Sequence, residues 1–330
     1  MKKWMTVCLG IILLIFAAGC TEKEDAKPEE AKEPTNQETI TVVDGFGEQK
    51  FEGVQERVIA LEWSIAEELL AVGVQPVGMA DIENFNKWVT IDEKVADSVV
   101  DVGGRVEPNI EEIAKLKPDV IIGTKGRHEP IKAQLEKIAP VIMYDSSTPE
   151  AEKNQLAFTL GNLKQTAKLV GKEAEAQVAI DRMQESVKEA KARIEKIDLP
   201  TNQFVFTQAY TVNQAPTFRL FATNSIVSQV LEQMGLENKI QETAPGSGII
   251  ETSVEGIAPY ADAMFLHTVQ KDDPLFDLLK THAGWNEFQF VKEKQLYDIG
   301  AGIWTFGSVL SIETLIKQTE EALMNGNDEK

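Results

Sequence analysis

The sequence predicts an α/β protein built as two lobes joined by a single long α-helix. Three observations lead there. Short apolar runs alternate with amphipathic stretches from residue 58 to 144, and again from 204 to 324. Such alternation implies a parallel or mixed sheet covered by helices. Between the two series the strand signals stop, and residues 172–196 hold no Gly or Pro and are rich in Ala, Glu, Lys, Gln and Arg. The chain has 330 residues, more than one ordinary core takes and suited to two.

The elements follow in order. Residues 40–43 and 46–51 flank the turn signal Asp44-Gly45 and read as a hairpin. Residues 58–61 form a short apolar strand, and 64–72 a helix stopped by Gly73. Strands are expected at 76–80 and 99–102, a short helix at 109–116 and a strand at 119–122. A helix over 129–138 and a strand over 141–144 complete the first series. Residues 150–170 form a helix, which Gly171 separates from the long one. Ile180, Met183, Val187 and Ile194 give residues 172–196 an apolar stripe. At 1.5 Å per residue that helix would run roughly 37 Å. The second series holds a strand at 204–208, a helix at 224–234 closed by Gly235, strands at 263–266 and 296–299, and a terminal helix at 308–324.

The first twenty residues carry an address. Met1-Lys2-Lys3 is basic, residues 7–18 are uncharged and largely apolar, and Ala17-Ala18-Gly19-Cys20 follows. That order is a secretory signal, and its apolar stretch is short of the roughly 20 residues a membrane span needs. The small residues ending on cysteine resemble the lipobox of bacterial lipoproteins. The expected organisation is a signal peptide at 1–19, a lipidated Cys20 on the extracytoplasmic face of the membrane, and a disordered tether at 20–39. The tether is rich in Glu, Lys, Ala and Pro and cannot bury enough apolar surface to fold. An N-terminal lobe at 40–148, a helical connector at 149–198 and a C-terminal lobe at 199–330 follow. The two cysteines are Cys8 and Cys20, so the folded part has no disulfide. The net charge of −20 argues against nucleic acid, which demands a basic footprint.

A small repeat links the lobes. Asn109-Ile110-Glu111-Glu112-Ile113-Ala114 matches Ser253-Val254-Glu255-Gly256-Ile257-Ala258. Capping chemistry alone could generate it, since Asn or Ser caps a helix and Glu in the first turn complements its dipole.

Catalytic signatures are lacking. The sequence has no G-x-S-x-G elbow, P-loop or H-E-x-x-H, and its three histidines are not spaced as metal ligands. The unusual local charge is Lys125-Gly126-Arg127-His128, directly after the strand at 119–122. In open α/β sheets ligands sit at that carboxyl end. Arg105, in Gly103-Gly104-Arg105, and Trp63 occupy the same topological position after other strands. In the second half Tyr210 ends a strand, Arg219 lies in a loop opened by Pro216, and Trp304 sits in a glycine-rich loop, Gly300 to Gly307. Arginine presents a planar donor fork matched to carboxylate, so this set suits a small polyanion.

Three stretches carry a resemblance over residues 40–325: Arg57-Val58-Ile59-Ala60-Leu61-Glu62, the segment 109–123 with Lys117-Pro118-Asp119-Val120-Ile121-Ile122, and Leu169-Val170-Gly171-Lys172-Glu173-Ala174. With the lipobox and the long middle helix, the chain resembles the iron-siderophore substrate-binding proteins of ABC importers. The resemblance implies a class III periplasmic-binding-protein fold: two Rossmann-like lobes joined by one long helix. It implies a non-catalytic monomer without a resident cofactor or metal, which delivers a ferric siderophore to the permease dimer and its ATPase. The family motif places permease-docking glutamates at Glu111 and Glu255. Ligand-holding residues would be Trp63, Arg105, Lys125, Arg127, His128, Tyr210, Arg219 and Trp304. Their basic character favours a carboxylate chelate, ferric citrate first, with hydroxamates and catecholates behind it. Haem and free divalent metals are further alternatives within the binding class. A lipid-anchored hydrolase is the rival from another class; it would need a nucleophile–base pair that the sequence does not offer.

Overall fold

The computed structural model describes residues 38–326. The signal, Cys20 and the tether up to residue 37 lie outside them. Strand β1 (Thr39–Asp44) and β2 (Gly47–Glu52) form the expected antiparallel hairpin. Asp44 turns it: one carboxylate oxygen accepts from Phe46 N at 2.8 Å, the other from Met143 N at 3.0 Å. The hairpin is thereby pinned to the first lobe.

That lobe is a five-stranded parallel sheet of β3 (Val58–Ala60), β4 (Gly78–Met79), β5 (Val100–Asp101), β6 (Val120–Thr124) and β7 (Val141–Tyr144). Their order is β5-β4-β3-β6-β7. Residues 58–61 and 120–123 are buried throughout, as a sheet covered on both faces requires. Its helices are α1 (Trp63–Ala71), α2 (Ile82–Trp88), α3 (Ile110–Lys115), α4 (Lys125–His128) and α5 (Lys132–Leu135). The connecting region holds α6 (Pro149–Lys153), α7 (Gln155–Leu169) and the long α8 (Glu173–Ile194).

The second lobe contains β8 (Gln203–Val212), β9 (Ala215–Phe221), α9 (Ile226–Gln233), β10 (Glu237–Asn238), β11 (Ile249–Thr252) and β12 (Met264–Thr268). Three short helices follow, α10 (Leu275–Lys280), α11 (Ala283–Asn286) and α12 (Gln289–Lys292), then β13 (Leu296–Asp298) and α13 (Val309–Asn325). The strand order is β11-β9-β8-β12-β13, with β10 beside the start of β8. The sheet is mixed: β8, β12 and β13 run parallel, whereas β9 is antiparallel to both β8 and β11.

Four expectations need correction. Arg219 is not in a loop: Pro216 lies inside β9, opposite Thr211, and Arg219 pairs with Gln208. The helix expected at 129–138 is only a 3₁₀ turn (Glu129–Ile131) followed by α5, because Pro130 removes a backbone donor, and the helical turn α4 precedes it where a loop was expected. The helix expected at 150–170 is interrupted at Asn154, whose φ is −149° and whose side chain caps α7 through Ala157 N at 2.8 Å. In the repeat, Asn109 does cap α3, accepting from Glu111 N and Glu112 N at 3.1 and 3.2 Å. Ser253 does not act likewise. Its hydroxyl bonds the Glu255 carboxylate at 2.5 Å, and the segment that follows is a 3₁₀ helix (Glu255–Tyr260) holding Pro259.

The two lobes share one core. Leu69 of α1, Leu163 of α7, Ile180 of α8, Val230 of α9 and Ile316 of α13 belong to a single buried apolar cluster. Arg182 on α8 adds a bidentate pair with Glu313 on α13, at 2.7 and 3.0 Å. Glu67 of α1 reaches across and caps α13, accepting from Ser308 N, Ser311 N and Ser311 Oγ at 2.7–2.8 Å. The backbones meet directly as well, where Thr90 N donates to Gly302 O at 2.8 Å. Only glycine permits this approach, since a Cβ on Gly302 would lie 1.8 Å from Thr90 Oγ1. Separating the lobes would expose this shared apolar surface to water, which costs about 25 cal/mol per Å².

Candidate ligand-binding cleft

The carboxyl ends of the first-lobe strands face the second lobe across a cavity of about 530 Å³. β3 delivers Glu62, β6 delivers Thr124 and Arg127, and β7 delivers Tyr144 and Ser146. Arg105 stands in the segment after β5. The opposite wall holds Arg219 of β9 and the Trp304-Thr305-Phe306 segment that follows β13. Phe158, Thr159 and Asn162 of α7 close one side. This is the position the topology assigns to ligands in open α/β sheets.

Arg105, Arg127, Arg219 and Trp304 thus come together around one cavity. Arg105 is held on several sides. Its Cζ lies 3.7 Å from the centre of the Trp63 ring and 5.3 Å from that of Trp304. Its Nη1 meets Glu62 Oε1 at 2.6 Å, and Asp81 stands 3.9 Å from its Nε. Arg127 Nε meets the other Glu62 oxygen at 2.8 Å. Glu62 therefore bridges both arginines while only 8% exposed. Charge-assisted pairs of this geometry fix the guanidinium planes. Arg219 lies 4.9 Å over the Tyr210 ring and 3.6 Å from Glu251.

Four expected residues sit elsewhere. Trp63 is 2% exposed and lies behind Arg105 as its stacking platform, with Nε1 donating to Asp81 O at 3.2 Å. Lys125 turns away to Asp145, at 3.0 Å, and lies 5.0 Å from the Phe46 ring of the hairpin. His128 is fully buried. Its Nδ1 accepts from Thr124 N at 3.0 Å, which leaves Nε2 to donate to Arg105 O at 2.8 Å. Burial pushes its pKa down, so the ring is neutral and fastens the Arg105 backbone. Gly123 makes room for it, since a Cβ there would lie 2.8 Å from Nδ1. The helical turn α4 explains the split: one turn sends Lys125, Arg127 and His128 in three directions. Tyr210 lines a neighbouring cavity of about 550 Å³ with Trp88 and Thr211, and Arg219 borders both.

Sequence reasoning missed Glu62 and Glu68. Glu62 had a legible signal, because it too follows a strand and adjoins Trp63. Glu68 had none, since it lies mid-helix within Glu67-Glu68 and reads as solvated. Among the described residues no group of three or more His, Cys, Asp or Glu is placed to hold a metal ion, and no helix is long and apolar enough to cross a membrane.

Residues 58–302 match the periplasmic binding protein family. The chain belongs to that family. Its members include relatives along nearly the whole chain. The Fe(3+)-citrate-binding protein YfmC of Bacillus subtilis is 27% identical over 322 residues, 96% of each chain. The iron(3+)-hydroxamate-binding protein FhuD of Escherichia coli is 28% identical over 270 residues, 81% of this chain and 86% of its own. Among solved structures, the Fe3+-Desferal-bound siderophore-binding protein FhuD of Vibrio cholerae superposes with a TM-score of 0.72 at 27% identity. It covers 82% of this chain and 98% of its own. The two-lobed architecture and the interlobe cleft of this periplasmic binding protein are those of a carrier.

Glu111 and Glu255 lie on the two lobes and are both exposed. Glu255 is held low by the Ser253 hydroxyl, with His282 Nε2 at 3.7 Å.

Proposed function

We propose that this chain is a lipid-anchored, extracytoplasmic carrier that captures a ferric siderophore and delivers it to an ABC permease. The ligand class we infer is the hydroxamates, chelates of low net charge. The observation that carries it is the charge balance of the cleft. Glu62 bridges Arg105 and Arg127, Asp81 flanks Arg105, and Glu251 flanks Arg219. The cations on the cleft wall are thus largely compensated before any ligand arrives. Three singly charged hydroxamates neutralise Fe3+, whereas catecholates leave a strongly anionic complex. A neutral chelate suits arginine donors aimed at its acceptor oxygens and the apolar faces of Trp304, Phe306 and Phe158. The similarity to the Desferal-bound protein at 27% identity supports the same class.

Ferric citrate is the second reading. Of the acids paired with Arg105, Arg127 and Arg219, only Glu62 itself lines the cavity, so the wall facing a ligand keeps more cations than paired acids, and the citrate-binding relative matches over 96% of each chain. Capture would be followed by docking through Glu111 and Glu255, one on each lobe. Exposed Glu–Arg pairs are individually weak, yet two at fixed separation set orientation and suppress wrong partners. Cys20 would supply the anchor.

Tryptophan quenching of the full chain in detergent micelles tests the ligand class, because Trp63 and Trp304 border Arg105. Saturable quenching by ferric desferrioxamine, with ferric citrate at least tenfold weaker, supports the hydroxamate reading. The reverse order establishes the citrate reading. No response to either removes both ligand readings.

A further inference from the structure

We propose that Glu68 is a specificity-determining residue of this cleft: a neutral carboxylic acid that donates a hydrogen bond from the cavity floor to an acceptor oxygen of the bound chelate. The inference rests on the siderophore reading above. Glu68 is on α1, only 2% exposed, and it lines the 530 Å³ cavity. A hydrogen-bond chain ends on it. Tyr144 Oη lies 2.8 Å from Thr166 Oγ1, and Thr166 Oγ1 donates to Glu68 Oε2 at 2.6 Å. With Tyr144 donating to Thr166, every hydroxyl proton in the chain is used and Oε2 is satisfied. That leaves Oε1 as the carboxyl atom available to the cavity.

The groups facing Glu68 decide its protonation. On its own helix stands Glu67, which burial raises to about 7 but which three donors at the start of α13 keep below Glu68, so that Glu67 is the first of the pair to ionise. From β7 comes Tyr144, whose burial raises its pKa well above the ordinary phenol and keeps it protonated. From α7 come the neutral Thr159, Asn162 and Thr166, and from the segment before α13 the neutral Phe306. Around the cavity wall Glu62, Arg105 and Arg127 engage one another, and Arg219 engages Glu251. Among the described residues no cation is paired with Glu68. Burial, with the Glu67 charge adding to it, raises its pKa to about 8. A buried acid next to a cavity is a donor that selects acceptor oxygens, as the carbonyl oxygens of hydroxamates are. Once ionised it would instead repel them.

The test is the pH profile of affinity for ferric desferrioxamine and for ferric citrate, read by tryptophan quenching of the full chain between pH 6 and 10. The expected result is a level profile to about pH 7.5 and at least a tenfold loss by pH 9.5. Glu68→Gln, whose amide donates at every pH, abolishes that loss. A level wild-type profile overturns the inference, as does a loss that persists in Glu68→Gln. Should the variant fail to fold, the carbonyl stretch of a protonated buried carboxyl in infrared spectra of Glu67→Gln, where Glu67 no longer contributes, decides: present at pH 7 and bleached by pH 10 supports the inference, absent at pH 7 refutes it. Binding with the wrong profile removes only this inference, whereas failure of both probes at every pH removes the hydroxamate and citrate readings with it.

Discussion

Replacing Glu62 with Gln isolates the charge balance of the cleft. Glu62 is the common partner of Arg105 and Arg127, at 2.6 and 2.8 Å. Glutamine keeps an acceptor of nearly the same shape and deletes one negative charge. A cavity of about 530 Å³ equals a sphere of roughly 5 Å radius, which puts a bound chelate's centre about 7 Å from the carboxylate. At an effective dielectric constant near 20, one unit charge at that distance is worth about 2 kcal/mol. Screening by salt in the open cleft reduces this, so about 1.4 kcal/mol, or tenfold, is the expected effect per ligand charge. Glu62→Gln should therefore move the ratio of affinities at least tenfold from ferric desferrioxamine toward ferric citrate. Parallel titrations at 0.05 and 0.5 M NaCl measure it, and the shift should shrink at high salt. A ratio that moves less than threefold at low salt refutes the argument that Glu62 sets the preference for a chelate of low charge.

Other outcomes follow from the same contacts. Arg105→Ala removes a guanidinium that is both stacked and ion-paired, and should weaken chelate binding 10- to 100-fold, the loss of one charge-assisted hydrogen bond; isothermal titration measures it. His128→Ala opens a cavity under Arg105 and strips two backbone groups of their partner. It should cost about 2–4 kcal/mol in urea unfolding, and a change under 0.5 kcal/mol would contradict the buried role. Glu67 and Glu68 are both raised by burial, from 4.5 to about 7 and about 8. The folded state then holds more protons than the unfolded state between pH 4.5 and about 8, so stability falls as pH rises through that window. Glu68→Gln should flatten the alkaline part of that fall in thermal melts. Glu111→Ala with Glu255→Ala should abolish iron uptake by cells while chelate titrations stay unchanged. Normal uptake would reduce Glu111 to an exposed neighbour of a helix cap.

The sequence by itself determined the alternation of strands and helices that covers a sheet on both faces, the long helix and where the first-lobe strands end, whereas β8 runs past Tyr210 to Val212. Those follow from local periodicity: near-continuous apolar runs demand burial on both faces, and an uninterrupted stretch of helix formers over 172–196 has no competing conformation. It also pointed to Arg105, Arg127 and Trp304, because carboxyl ends of strands converge in any such sheet, and to Arg219 through a loop that the structure replaces by a strand. The tertiary structure alone decided what those positions became. Lys125 and His128 adjoin Arg127 in sequence, but a helical turn rather than a loop sends one to Asp145 and buries the other beneath Arg105. Arg219 reached the cleft on a strand, since pairing along both β8 and β11 outweighed the turn signal of Pro216. Glu62, Glu67 and Glu68 read as ordinary acidic residues, and their neighbours Arg105, Ser308 and Thr166 are distant in the chain. Pattern reports which face of an element is apolar. Which charges meet across two lobes, and which carboxyl is left without a cation, depends on contacts that no local window contains.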